Sequence, residues 1–89
     1  MAVHRLYVGA NNTTKEVAVD SLKAILNAYF EGYSLLPAEG MWKGTPEKSV
    51  VLEIQTDEVG KVKDLIAVLK DKLEQQAIGY QVLPEMSFV

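Results

Sequence analysis

Two hydrophobic rhythms take turns along this chain, and their order leaves few folds open. From Val19 the apolar residues fall at Leu22, Leu26, Tyr29, Phe30 and Tyr33, at intervals of three and four that make one stripe on a helix. A second stripe runs through Val59, Val62, Leu65, Ile66, Leu69 and Leu73. Elsewhere the rhythm is two. Over Ser49 to Thr56, Val50, Leu52 and Ile54 alternate with Val51, Glu53 and Gln55, the pattern of a strand with one buried face. Over Ala77 to Leu83, Ile78, Tyr80 and Val82 alternate with Gly79 and Gln81. Val3 to Gly9 is rich in apolar and aromatic residues and stops at the polar cluster Asn11-Asn12-Thr13-Thr14, a strand ending in a loop. Tyr33 to Trp42 reads as extended, with Pro37 placing it at a sheet edge because proline has no N–H for a neighbour.

The boundaries follow from local chemistry. Asp20 and Ser21 suit the first turn of the first helix, and Gly32 suits its end. Gly44-Thr45-Pro46-Glu47 reads as the turn between the second and third strands. Thr56-Asp57-Glu58 offers an N-cap and an acidic first turn to the second helix. Its charged face, Lys63, Lys70, Asp71 and Glu74, with Lys70 and Glu74 four apart, reads as solvated. The order β-α-β-β-α-β joins two right-handed crossovers through a hairpin. It predicts an α+β, ferredoxin-like fold: four antiparallel strands with two helices on one face.

At 89 residues the chain makes one domain, ending in an apolar tail over 84–89. Nine Lys and Arg against twelve Asp and Glu give a net charge of −3, and Arg5 is the only arginine, which argues against a nucleic-acid partner. The chain has no cysteine and one histidine, His4, so thiolate metal sites, a cysteine nucleophile and a histidine cage are excluded. No cofactor is expected. The apolar run Leu65 to Leu69 is far shorter than the ~20 residues of a membrane helix, and the N-terminus lacks a signal-peptide core. A cytoplasmic protein is the expectation.

Helices on one face leave the other face of the sheet to water, a ligand or another subunit. If Leu6 and Val8 point at the helices, Val3, Arg5, Tyr7 and Gly9 point away, as do Val51, Glu53 and Gln55 and then Gln81 and Leu83. Arg5 and Glu53 are then expected side by side. The tail adds Met86, Phe88 and Val89. Arg5, Tyr7, Val51, Glu53, Leu83, Met86 and Phe88 thus form a candidate interface. The tail covers its own sheet, or face and tail build a homo-oligomer, or the tail is simply disordered.

Two clusters qualify as ligand sites. In Gly40-Met41-Trp42-Lys43-Gly44, followed by Glu47 and Ser49, a tryptophan between glycines can stack on a planar ligand beside a lysine for an anion. The competing reading makes Trp42 a core cap and the glycines a bulge and a turn. The loop Asn11, Asn12, Thr13, Thr14 and Lys15 offers amides, hydroxyls and a lysine near the first helix, or simply turn and capping hydrogen bonds. No glycine-rich phosphate loop, nucleophile elbow or calcium loop occurs, and His4 has no evident partner for acid–base work.

The segment Gly40-x-Trp42-Lys43-Gly44 with Glu47-x-Ser49 and Leu52-Glu53-Ile54, the opening Leu6-Tyr7-Val8-Gly9 and the ending Ser87-Phe88-Val89 resemble small uncharacterised ferredoxin-like proteins of bacterial and phage genomes. The resemblance implies a stand-alone domain with no catalytic residues to carry over. A phage origin would further imply an inhibitor of a host system, acting by occlusion or by sequestering a signal. The sequence therefore leads to a non-enzymatic homo-oligomer that binds a small anionic or nucleotide-like ligand through Trp42, Lys43, Asn11, Asn12, Thr13 and Lys15. The alternative is a module that docks on a host protein through the open face and tail.

Overall fold

The computed structural model of the chain describes residues 1–11, 13–75 and 77–84, the side chain of Trp42 excepted. Its elements follow the expected order: β1 (Val3–Gly9), α1 (Val19–Tyr29), β2 (Ser34–Trp42), β3 (Thr45–Gln55), α2 (Val59–Lys72) and β4 (Gly79–Leu83). The four strands form one sheet in the order β2-β3-β1-β4, with every neighbouring pair antiparallel. This is the ferredoxin-like α+β arrangement.

Alternation sorts the sheet into two faces. Leu6 and Val8 of β1 and Val50, Leu52 and Ile54 of β3 meet Leu22 and Leu26 of α1 and Val62, Leu65 and Leu69 of α2 in one buried core. Burying such side chains is the main force that holds a domain of this size together. Arg5, Tyr7, Val51 and Glu53 lie on the other face, in the register Arg5↔Glu53 and Tyr7↔Val51. Val3 departs from the exposed position expected of it. It lies outside the core cluster, yet is only 3% exposed, flanked by Gln55 and Leu83.

Several boundaries move. α1 ends at Tyr29, because Phe30 turns extended (φ −136°, ψ 142°) two residues before Gly32. Glu58 is the N-cap of α2, while the Thr56 hydroxyl accepts the Glu58 N–H at 3.0 Å. Glu74 lies past the end of α2 with φ 54°, so it makes no helical pair with Lys70. Instead its carboxylate accepts the Asn11 amide at 3.4 Å.

The largest change is at the hairpin. Thr45, Pro46 and Glu47 belong to β3, and the turn is only Lys43 and Gly44, at φ 50° and 78°. Positive φ at both central residues is the primed turn that matches the twist of paired strands. β3 loses its β1 neighbour beyond Ser49, opposite Gly9. The β2–β3 hairpin therefore runs on alone as a two-stranded arm.

Candidate functional site

The loop after β1 and the β2–β3 arm, read separately in the sequence, border the same cleft. It encloses about 760 Å³ and is lined by Gly9, Asn11, Lys15 and Glu16 on one side and Glu39, Pro46, Glu47 and Lys48 on the other. Each wall is held by its own chemistry. The Asn11 side-chain oxygen accepts the N–H groups of Thr13 at 2.8 Å and Thr14 at 3.1 Å, a side-chain turn that shapes the loop. Lys15 takes φ 62°, an uncommon conformation for a residue with a Cβ. Glu16 then reaches the arm, accepting the Lys48 ammonium at 2.6 Å. That pair is exposed on both sides, so it positions the loop more than it stabilises the fold.

The sequence-predicted ligand residues divide accordingly. Asn11 and Lys15 line the cleft. Thr13 is exposed and holds the loop turn through its backbone. Lys43 sits in the turn at the tip of the arm, outside the cleft lining. Asn12 and the Trp42 side chain lie outside the described residues. Glu16, Glu39, Glu47 and Lys48 complete the cleft and were missed as site residues. Only the length of β3 places Lys48 there, and a turn drawn over residues 44–47 hides it.

On the open face Arg5 and Glu53 pair as expected, with Nη2 at 2.7 Å and Nε at 3.2 Å from the same carboxylate oxygen. Hydrogen bonding to Glu53, and after it to Tyr7, raises the Arg5 pKa above its ordinary value. Around this pair Tyr7 and Leu36 are 43% and 44% exposed, and Val51 and Leu83 are half-buried. Met86 and Phe88 lie outside the described residues.

His4 is core. It is 1% exposed and points to the helix side, where Nε2 donates to the Thr56 carbonyl at 3.1 Å. A carbonyl only accepts, so in the neutral ring the proton sits on Nε2, and Nδ1 accepts the Tyr80 hydroxyl at 2.7 Å. Both nitrogens are therefore engaged. Among the described residues no cluster of three or more His, Asp or Glu is placed to hold a metal, and no helix is long and apolar enough to cross a membrane.

No family model and no curated protein matches the sequence. Solved structures do match the fold. A phage SAM lyase in its apo state is 19% identical, with a TM-score of 0.67 over 99% of this chain and 92% of that one. A DUF3240 family protein from Shewanella baltica OS155 is 18% identical, with a TM-score of 0.63 over 98% of this chain and 93% of that one. At these identities the likeness is one of fold.

Proposed function

We propose that this chain is a phage-type binding protein that works as a homo-oligomer and sequesters a small, nucleotide-like molecule without transforming it. The observation that carries this reading is the cleft between the β1–α1 loop and the arm, whose volume of about 760 Å³ falls in the ~300–1,000 Å³ range of small-molecule sites. Lys48 is engaged with Glu16, whereas Lys15 makes no ion pair among the described residues. Lys15 is thus the cation that meets a negative group of the ligand, with Asn11 beside it for hydrogen-bond specificity. Assembly would carry Trp42 and Lys43, at the end of one arm, to the cleft of a neighbouring subunit. The fold shared with a phage SAM lyase supports a phage origin and a nucleoside-bearing ligand. Both His4 nitrogens are taken up within the core, which supports binding over acid–base chemistry.

Native mass spectrometry of protein purified from cells, followed by a thermal-shift panel of nucleotides and SAM, tests this. The expected result is an oligomer that carries or takes up one such compound and releases it intact. A folded Lys15→Ala, Lys43→Ala variant should bind it at least tenfold more weakly. Recovery of a cleaved compound would make the chain an enzyme. A bare protein that no compound stabilises would shift the reading to a host-protein docking module, which the exposed Tyr7 and Leu36 favour.

A further inference from the structure

Among the described residues β2 and β4 have no strand beyond them, and the positions of the prolines tell the two edges apart. Trp42 and Thr45 flank a two-residue turn, so they form the hydrogen-bonded pair that closes the hairpin. Antiparallel pairs alternate from there. Gly40↔Glu47 and Ala38↔Ser49 exchange backbone bonds, while Met41↔Pro46, Glu39↔Lys48 and Pro37↔Val50 do not. Both strand prolines thus fall where the missing N–H costs the β2–β3 ladder nothing. On β2, then, Leu35, Pro37, Glu39 and Met41 turn their backbone groups to the outer edge. Carried across the sheet, the alternation gives the bonds between β1 and β4 to Val3↔Leu83, Arg5↔Gln81 and Tyr7↔Gly79. That leaves Tyr80 and Val82 facing outward from β4.

Among the described residues the alternation thus leaves N–H and C=O free at Leu35, Glu39 and Met41 on one edge and at Tyr80 and Val82 on the other. Glycine, tyrosine, glutamine, valine and leucine make up β4, so this edge has no charge or proline to repel a strand. Met41 and Val82, 65% and 54% exposed, both belong to the helix-side face.

We infer that the β4 edge of one copy pairs with the β2 edge of a second copy, antiparallel, in a heterologous contact that closes a ring. The inference rests on the homo-oligomer reading above and specifies its interface. One register engages Glu39, Met41, Tyr80 and Val82: Met41 opposite Tyr80 of the second copy, Gly40 opposite Gln81, and Glu39 opposite Val82. Each pair keeps to one face of the sheet, so Met41 lies against a tyrosine and loses its exposure. In the same register the next outward positions are Pro37 and Pro84, neither with an N–H to give, and the ladder stops there. A two-fold β4–β4 contact would leave Glu39 and Met41 unpaired. The heterologous contact engages both edges at once.

The chain has no cysteine, so disulfide trapping has no background. Gly40 and Gln81 of the second copy form a non-hydrogen-bonded pair, whose Cα separation of about 4.5 Å suits a disulfide. A Cβ at Gly40 meets nothing closer than 3.8 Å. Gly40→Cys protein mixed with Gln81→Cys protein should give covalent dimers under mild oxidation, and the double variant a covalent ladder. Gly40→Cys with Val82→Cys should not cross-link, because those side chains take opposite faces. Val82→Pro removes only an outward N–H, and should yield a folded monomer by native mass spectrometry. Cross-linking of Gln81→Cys with itself would overturn the register in favour of a two-fold contact. An oligomer without the Gly40–Gln81 link would overturn the edge contact while sparing the oligomer reading. A wild-type monomer would sink both, and leave ligand binding in the cleft standing on its own.

Discussion

His4 shows how much a single buried polar side chain asks of its neighbours. Its ring is almost wholly enclosed and stacks on Tyr80, with centroids 5.9 Å apart and planes 13° from parallel. Removing the Tyr80 hydroxyl would keep the stacking but leave Nδ1 as a buried acceptor without a donor. Such a group costs about 1–3 kcal/mol, so Tyr80→Phe is expected to lower the unfolding free energy measured in urea by that amount without altering ligand uptake. Unchanged stability would mean that water reaches Nδ1. The register sets Arg5 and Glu53 directly opposite each other. Alternation put them on one face and the fold made β1 and β3 neighbours, so this pair was legible beforehand. The partners of His4 were not, because they come from residues 52 and 76 positions away, and one is a backbone carbonyl that no side-chain pattern announces.

At the scale of elements the informative misreading is the hairpin. Trp-Lys-Gly-Thr-Pro-Glu carries two turn formers, and a turn built on Pro46 is the natural choice from composition. The fold instead closes on Lys43-Gly44, although lysine is no favourite at a positive φ. Pro46 is tolerated in a strand because its nitrogen faces away from β2, toward the space that β1 has vacated. This one shift lengthens β3, builds the arm and creates the outer wall of the cleft. Gly44 stands in open space, with nothing within 4 Å of a Cβ built on it. Gly44→Ala would therefore act only through the backbone, at a cost of about 1–2 kcal/mol. Because the arm lacks a third strand, that cost should fall on it alone. Hydrogen exchange should quicken over 39–42 and 45–48 and stay unchanged over 49–55. Uniform quickening across β3 would mean that the arm unfolds only with the sheet.

The whole molecule is built around one core on one side of one sheet, and this asymmetry governs how substitutions are felt. Domains carry roughly 0.05–0.15 kcal/mol of stability per residue, so a chain of this length holds on the order of 4–13 kcal/mol. Leu52 lies in a central strand with no exposed surface, and Leu52→Ala should cost about 2–5 kcal/mol through lost burial and the cavity left behind. One residue away in register, but on β2 beside Val51, Leu36 is 44% exposed. Leu36→Ser should change stability by no more than about 0.5 kcal/mol. At about 4–8 °C per kcal/mol for domains of this size, the first variant should melt at least about 6 °C below the second when both are measured as monomers at low concentration. At high concentration the comparison gains a second meaning. An open face that serves only water leaves the melting temperature of Leu36→Ser level with wild type at every concentration. An open face that serves an assembly or a host protein makes the wild type melt progressively higher as its partner is added, and Leu36→Ser should lag behind it. The same leucine that contributes almost nothing to the fold would then be a direct probe of what the fold is for.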